Sequence, residues 1–485
     1  MVLDLVQTIW PYFTAAATAL VMLSATGHAI LYKEDSRAAV AWVGVIWLAP
    51  IVGSVVYVLL GINRIKRRAS VLRGEDPPSY LLEAGEFLCP VESLPDHLPA
   101  DCGHMASLAR LVNGLTQRPL VRGNAFEPLY NGDAAYPIML EAIEQAEHSV
   151  SLTTYIFAND KVGRQFAGAL GRAVRRGVEV RVLIDAIGAR YSFPQVIHRL
   201  RKAGVTAAKF MPTYLPWGTR YMNLRSHRKI MVVDGVIGFT GGMNIRKDNL
   251  VQEIPRHPVQ DLHFRVRGPV VRELQEVFAE DWAYTTHERL TGSAWFPALE
   301  AHGKAVARGI SDGPDEDFDK LSMTLLGALA CARRSVCVAT PYFLPDPPLT
   351  SALSVAAMRG VTVDILLPAR NNLRLVQWAA NAHLAPLLER NCRIWFTPPP
   401  FDHTKLVIVD GVWVLMGSAN WDPRSLRLNF EFNVECYDPA LAAQLAPLME
   451  TRRLRAQRVE LDDLVNRPFP LRLRDGMARL LTPYL

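Results

Sequence analysis

Two histidines, two lysines and two aspartates stand in this chain in one arrangement written twice: His227, Lys229 and Asp234, then His403, Lys405 and Asp410. Each residue lies 176 positions from its counterpart, and the same interval relates Gly241, Gly242 and Asn244 to Gly417, Ser418 and Asn420. One His-x-Lys-x-x-x-x-Asp string carries little information. A second copy, with its trailing Gly and Asn in register, implies a duplication that builds one site from two halves. The residue types point to phosphate chemistry. One imidazole can attack phosphorus to form a covalent phosphohistidine while the other protonates the departing alkoxide, and the roles reverse for the acceptor. Two ammonium groups can neutralise the non-bridging oxygens, a task that otherwise often falls to a metal ion. No metal ion and no other cofactor is therefore expected. Gly242, Asn244, Ser418 and Asn420 offer backbone N–H groups, amide donors and close backbone access, so they are expected around the phosphate. Asp261 and Glu431 follow the two copies at similar distances, and either can orient an imidazole.

These side chains need elements that aim them. Lys229 to Thr240 and Lys405 to Met416 are apolar, β-rich runs on either side of Asp234-Gly235 and Asp410-Gly411, a strong hairpin signal. Alternate strand residues face one way, so each histidine is expected to project beside its lysine. The aspartates fall in the hairpin turns, where a structural role fits as well as a catalytic one. Upstream, Tyr136–Ala146, Val150–Phe157, Val162–Arg175 and Val178–Ile184 read as helix, strand, helix, strand. Phe318–Ala332, Val336–Ala339, Pro348–Arg359 and Val361–Leu367 repeat the series, with Arg-Gly-Val at the same point in both. The expected fold is α/β: two duplicated halves about a pseudo-twofold axis, with both histidine hairpins at their interface.

The paired HxKxxxxD motifs resemble those that define the phospholipase D superfamily. With Tyr155–Asp160, Arg176–Asp185, Thr340–Asp346 and Gly417–Glu431, they are most similar to those of bacterial cardiolipin synthases. The resemblance covers almost the whole chain. It implies transfer of a phosphatidyl group between two phosphatidylglycerol molecules, giving cardiolipin and glycerol without a nucleotide. It also implies His227 as nucleophile and His403 as general acid and then base, although the order can be reversed.

Half of the 485 residues are hydrophobic, a high share for a wholly soluble enzyme. The excess sits at the start: Leu5–Tyr32 and Ala38–Leu60 carry no Asp, Glu, Lys or Arg, and each is long enough to span a bilayer. A signal peptide fits poorly, since no basic region precedes the first run and Asp4 is acidic. Arg64, Lys66, Arg67, Arg68 and Arg73 follow the second run, which places the catalytic portion on the cytosolic side of a bacterial inner membrane as a multi-pass protein. They also favour an anionic lipid surface, as does the formal charge of +6. Six cysteines show neither zinc spacing nor a CxxC pair. The expected organisation is a transmembrane hairpin at 1–62, a connector with short helices at 63–122, the first half at 123–285, a linker at 286–314, and the second half with a C-terminal tail at 315–485. Two apolar-aromatic segments, Tyr214–Asn223 and Phe396–Phe401, either wall a lipid entry or simply pack as loops. The tail from Phe469 interleaves arginines with bulky apolar residues; docking on the domain is expected ahead of lying on a membrane. Phospholipid, above all phosphatidylglycerol, and the membrane are the expected partners, with no nucleic acid. A hydrolase using water, or another phosphatidyltransferase using phosphatidylethanolamine, is the alternative enzyme. A noncatalytic scaffold would predict loss of a His or Lys, and all four are intact.

Overall fold

A computed structural model describes residues 2–33, 36–61, 85–212, 224–314 and 319–482. The basic cluster Arg64 to Arg73 and the segment Tyr214 to Asn223 lie outside the described residues.

The catalytic unit is organised by one 16-stranded sheet and a separate two-stranded one. The first half contributes β1 (Val121–Tyr130), β2 (Ser149–Thr154), β3 (Glu179–Asp185), β4 (Thr206–Phe210), β5 (Arg225–Ser226), β6 (Ile230–Val233), β7 (Ile237–Gly241), β8 (Val259–Gln260) and β9 (Leu262–Arg267). The second contributes β10 (Ala305–Asp312), β11 (Ser335–Ala339), β12 (Thr362–Pro368), β13 (Arg393–Thr397), β14 (Phe401–Asp402), β15 (Leu406–Val409), β16 (Trp413–Gly417), β17 (Asn429–Tyr437) and β18 (Gln457–Val459). From the antiparallel β1–β10 pair at the centre, β9, β7, β6, β2, β3 and β4 run outward on one side. They are matched by β17, β16, β15, β11, β12 and β13 on the other. The expected duplication is thus a twofold repeat of strand order within one sheet.

Local chemistry sets the same elements in both halves. Asp160 and Asp346 cap the helices Lys161–Arg175 and Pro347–Met358, accepting from the N–H of Gly163 and Leu349 at 3.0 Å each; such caps contribute about 1 kcal/mol. Gly177 and Gly360, the glycines of the repeated Arg-Gly-Val, follow those helices in the left-handed region at φ 94° and 91°, where a Cβ would be strained. Strand residues alternate between two cores. Met231 and Val233 face the helices Asn131–Gln145 and Lys161–Arg175, whereas Ile230 and Val232 face Val271–Thr286. Each fully buried side chain of this size stabilises the fold by about 1.5–3 kcal/mol.

Two segments differ from expectation. Residues 85–116 do form short helical turns and a helix, Ala106–Thr116, yet Leu94, Cys102, Met105, Leu108 and Val112 are fully buried in the core of the second half. Their Pro-rich surroundings hid a structural element inside an expected connector. The expected linker contains β10, whose residues are all buried at the centre of the sheet.

The N-terminal unit is separate. Its first helix, Val2–Tyr32, includes an apolar stretch from Ile9 long enough to cross a membrane. The second expected span is not one helix: Ser36–Leu48 ends at Ala49, and Pro50–Val56 and a wider turn at Tyr57–Gly61 follow. Pro50 lacks the N–H that would continue the helix, and its ring crowds the preceding turn. Ala25, Ala29, Ile46 and Tyr57 pack together, and His28 Nδ1 lies 2.8 Å from the Tyr57 hydroxyl. This is the hydrogen bond across the hairpin that a lone apolar-segment histidine calls for.

Candidate active site

The two motif hairpins turn as their Asp-Gly pairs dictate. Asp234 and Gly235 adopt φ of 51° and 68°, Asp410 and Gly411 of 53° and 68°, the left-handed pair of a type I′ turn. Both aspartates are held by backbone, and Asp410 Oδ2 also lies 3.2 Å from His104 Nε2. Asp234 accepts N–H groups of Glu147, His148 and Ser149 at 2.7–3.0 Å, and Asp410 those of Arg333, Arg334 and Ser335 at 2.7–2.9 Å. Strands β6 and β15 hold them roughly 15 Å along the chain from their lysines. The sequence leaves Asp234 and Asp410 a structural or a catalytic part; these bonds support the structural one, each aspartate tying its turn to the loop that opens β2 or β11.

The histidines meet because each is attached to the opposite half. Strand β5, just before His227, pairs with the start of β17, and His227 N–H donates to Phe430 O at 2.9 Å. Strand β14, just before His403, pairs with β8, and His403 N–H donates to Gln260 O at 2.8 Å. The two rings face each other with centroids 6.5 Å apart at 78°.

Their supports cross in the same way. His227 Nδ1 lies 3.0 Å from the Ser418 carbonyl and 3.0 and 3.1 Å from the Glu431 oxygens. A carbonyl can only accept, so Nδ1 carries the proton and Nε2 keeps its lone pair. His403 Nδ1 lies 2.7 Å from Asp261 Oδ2. Glu431 also accepts from the Ser418 hydroxyl at 2.5 Å and from Asn429 Nδ2 at 3.2 Å. Asp261 accepts from the Leu262 N–H at 2.8 Å. The acceptors named in the sequence are brought to the histidines, each serving the other half's ring.

Gly242 and Ser418 differ for a reason. A Cβ on Gly242 would sit 2.2 Å from Asp261 Oδ1, so that position must be bare, whereas Ser418 uses its side chain to hold the longer Glu431. Lys229 and Lys405 each fold back onto the carbonyl of the histidine two residues earlier, at 2.5 and 2.6 Å, and Lys405 Nζ also lies 3.1 Å from His403 Nε2. Asn244 is buried, with Oδ1 accepting the Ile156 N–H, and Asn420 Nδ2 donates to the Ser425 hydroxyl. The Asn244 amide thus braces the loop that precedes the helix Lys161–Arg175, and the Asn420 amide braces the short helix Pro423–Arg427. Two tyrosines escaped the sequence reading: Tyr155 stacks edge-on to His227 at 5.5 Å and Tyr342 to His403 at 6.3 Å. Their signal was the repeated aromatic segment before each capping Asp, which marked a likeness but not a position.

Electrostatics separate the two arms. Burial pushes Asp261 up to about 6. Burial acts on Glu431 too, but the charge and hydrogen bond of His227, with Lys229 and Ser418, hold it below the usual carboxylate range. Burial lowers His227 against the pull of Glu431, and burial with both ammoniums drives His403 well down. Lys229 falls to about 7 and Lys405 to about 8, chiefly through burial. Such displaced groups gathered around two facing imidazoles suit a reactive site. A phosphodiester anion between the rings would reverse the trend, restoring both ammoniums and favouring a proton on His403.

Sequence comparison decides the family. The family described as "Cardiolipin synthase, PLD-like domain" matches residues 139–282 and 325–452, one stretch in each half, and "Phospholipase_D-nuclease N-terminal" matches 20–61. A cardiolipin synthase of Geobacillus kaustophilus is 34% identical over 92% of this chain and 88% of its own length. The chain belongs to the cardiolipin synthase family. Another member, from Halalkalibacterium halodurans, is 29% identical over 100% of this chain and 97% of its own length. Among solved structures, phosphatidylserine synthase of Haemophilus influenzae shares the fold, with a TM-score of 0.60 at 17% identity over 78% of this chain and 100% of that one. The family likeness therefore runs through both the catalytic unit and the N-terminal helices.

Proposed function

We propose that this chain is a membrane-bound cardiolipin synthase that moves a phosphatidyl group from one phosphatidylglycerol to another. The crossed pair carries the reading: two imidazoles face one another, each fixed through Nδ1 by a buried carboxylate of the opposite half. His227 Nε2 attacks phosphorus, forming an N–P bond as the P–O bond to glycerol breaks, and His403 delivers a proton to the leaving oxygen. His403 then removes a proton from the headgroup hydroxyl of the second lipid, whose oxygen displaces His227 and closes the cardiolipin phosphodiester. Lys229 and Lys405 hold the non-bridging oxygens, and Glu431 steadies the imidazole that bears the phosphoryl group. Gly242, Ser418, Asn244 and Asn420 keep the rings and loops in place around the phosphate.

The basic residues after the N-terminal helices support a multi-pass protein of the inner membrane with its catalytic unit in the cytosol. The purified protein, given phosphatidylglycerol alone with chelator and no nucleotide, should yield cardiolipin and glycerol by mass spectrometry. Phosphatidic acid instead would make it a hydrolase.

A further inference from the structure

The tail helix Phe469–Leu480 has two apolar faces, and the catalytic unit uses only one. Inward, Asp475 and Ala478 are buried, and Ala478 packs with Val376 and Ala379 of the helix Arg374–Leu388. Arg474 lies 4.5 Å over the Trp378 ring, and Asp475 accepts from Arg467, Arg474 and Asn381. Docking on the domain is thus observed. Outward, Phe469, Leu473, Met477 and Leu480 follow one another at helical spacing and are 72%, 52%, 61% and 75% exposed. A row of four large apolar side chains is more than scattered surface exposure. Arg472 and Arg479 stand exposed along one flank of the row. Between Arg467 and Thr482 there are four arginines and a single acid, Asp475, which is itself paired.

We propose that this outer face is a docking surface for an anionic phospholipid bilayer. Apolar side chains would enter the headgroup–acyl boundary while the flanking guanidiniums meet lipid phosphates, the division of labour of an interfacial helix. A protein partner would have to supply acidic groups at that flank; a phosphatidylglycerol surface supplies them everywhere. The opposite side of the same helix packs toward the chemistry. Ala478, Val376, Ala379, Trp378, Leu344 and Tyr342 form one packed cluster, and the Tyr342 ring is 6.3 Å from that of His403. The docked side of the tail helix therefore joins a packed cluster that reaches a reactive imidazole. The surface goes beyond the proposed reaction, since it lets the catalytic unit read the bilayer without the N-terminal helices.

The test uses the full chain in nanodiscs of phosphatidylcholine with or without phosphatidylglycerol, doped with phosphatidylcholine bearing a diazirine near the carbonyl end of an acyl chain. Photolysis should label peptides covering 469–481 as well as 9–32, and the tail adducts should increase with phosphatidylglycerol. L473E/M477E should lose tail adducts at least tenfold and keep those on 9–32. The same variant should raise the apparent KM for bilayer phosphatidylglycerol roughly tenfold, with turnover of monomeric short-chain phosphatidylglycerol unchanged, which also reports that it is folded. If it is not, Leu473→Gln carries the same comparison. Wild-type adducts confined to 9–32 would overturn the proposal. Equal tail labelling without phosphatidylglycerol would overturn the choice of an anionic surface. A chain that labels as expected but turns over no lipid would defeat the transferase reading and leave the docking surface standing.

Discussion

The two halves present the same histidine and lysine by the same hairpin, yet they support them differently. His227 is held by a glutamate that three side chains saturate: His227 itself, Ser418 and Asn429. His403 is held by an aspartate whose other hydrogen bond among the described residues is one backbone N–H, and whose space is made by a bare Gly242. Arg228 adds to the imbalance, donating to the Glu431 carbonyl and pairing with Asp281, where the second copy has Thr404. Duplication thus supplied two equal reactive groups, and the residues behind them made the groups unequal. A ping-pong exchange needs that inequality, since one ring must bond to phosphorus while the other handles the proton.

The largest expected effect breaks the comparison outright. His227→Ala and His403→Ala should each lower turnover by roughly four orders of magnitude or more, with circular dichroism unchanged. A phosphodiester with a nitrophenolate leaving group, which needs no proton, should restore activity to the His403 variant and not to the His227 variant; the opposite pattern would exchange their roles. Next in size, Glu431→Gln should cost about 10³-fold in kcat, and Asp261→Asn about tenfold less, both read in single-turnover assays. Activity should also fall with alkalinity: burial depresses both lysines, so the ammoniums that bind phosphate are complete below about 7 and are lost as pH rises through about 7 and about 8. A kcat/KM profile flat to pH 9 would contradict this. Gly242→Ser should lower stability by about 1–3 kcal/mol through its clash with Asp261, measured by denaturant, whereas Ser418→Gly should lose about 1 kcal/mol. The smallest effect on chemistry is expected at the turns, where Asp234→Asn and Asp410→Asn should lower Tm but change kcat less than tenfold.

Much of this was legible in the chain because local rules fixed it. Asp-Gly between apolar runs gave both hairpins, and Asp160, Asp346, Gly177 and Gly360 marked the helix ends. The interval of 176 shows which residues correspond, but Asp261 and Glu431 are 170 apart, so they stand outside the strict register. Nothing local says that each serves the ring of the opposite half; that follows only from the pairing of β5 with β17 and β14 with β8. Tyr155 and Tyr342 were hidden likewise, since an aromatic before a capped helix reads as core until the sheet places it. Pro50 was a missed local signal, in plain view within an apolar run. Leu94 and Leu108 were unreadable for the opposite reason: a Pro-rich stretch gave no sign of which core would bury them.

The crossed supports also constrain descent. A change at Asp261 is felt at His403, and a change at Glu431 at His227, so neither half carries a complete working arm of its own. The halves are bound to inherit their changes together: a chimera that joined the first half of one relative to the second half of another would mismatch both histidines at once. Divergence at this interface should therefore be found as compensated pairs across the centre of the sheet, and only rarely as drift within one repeat.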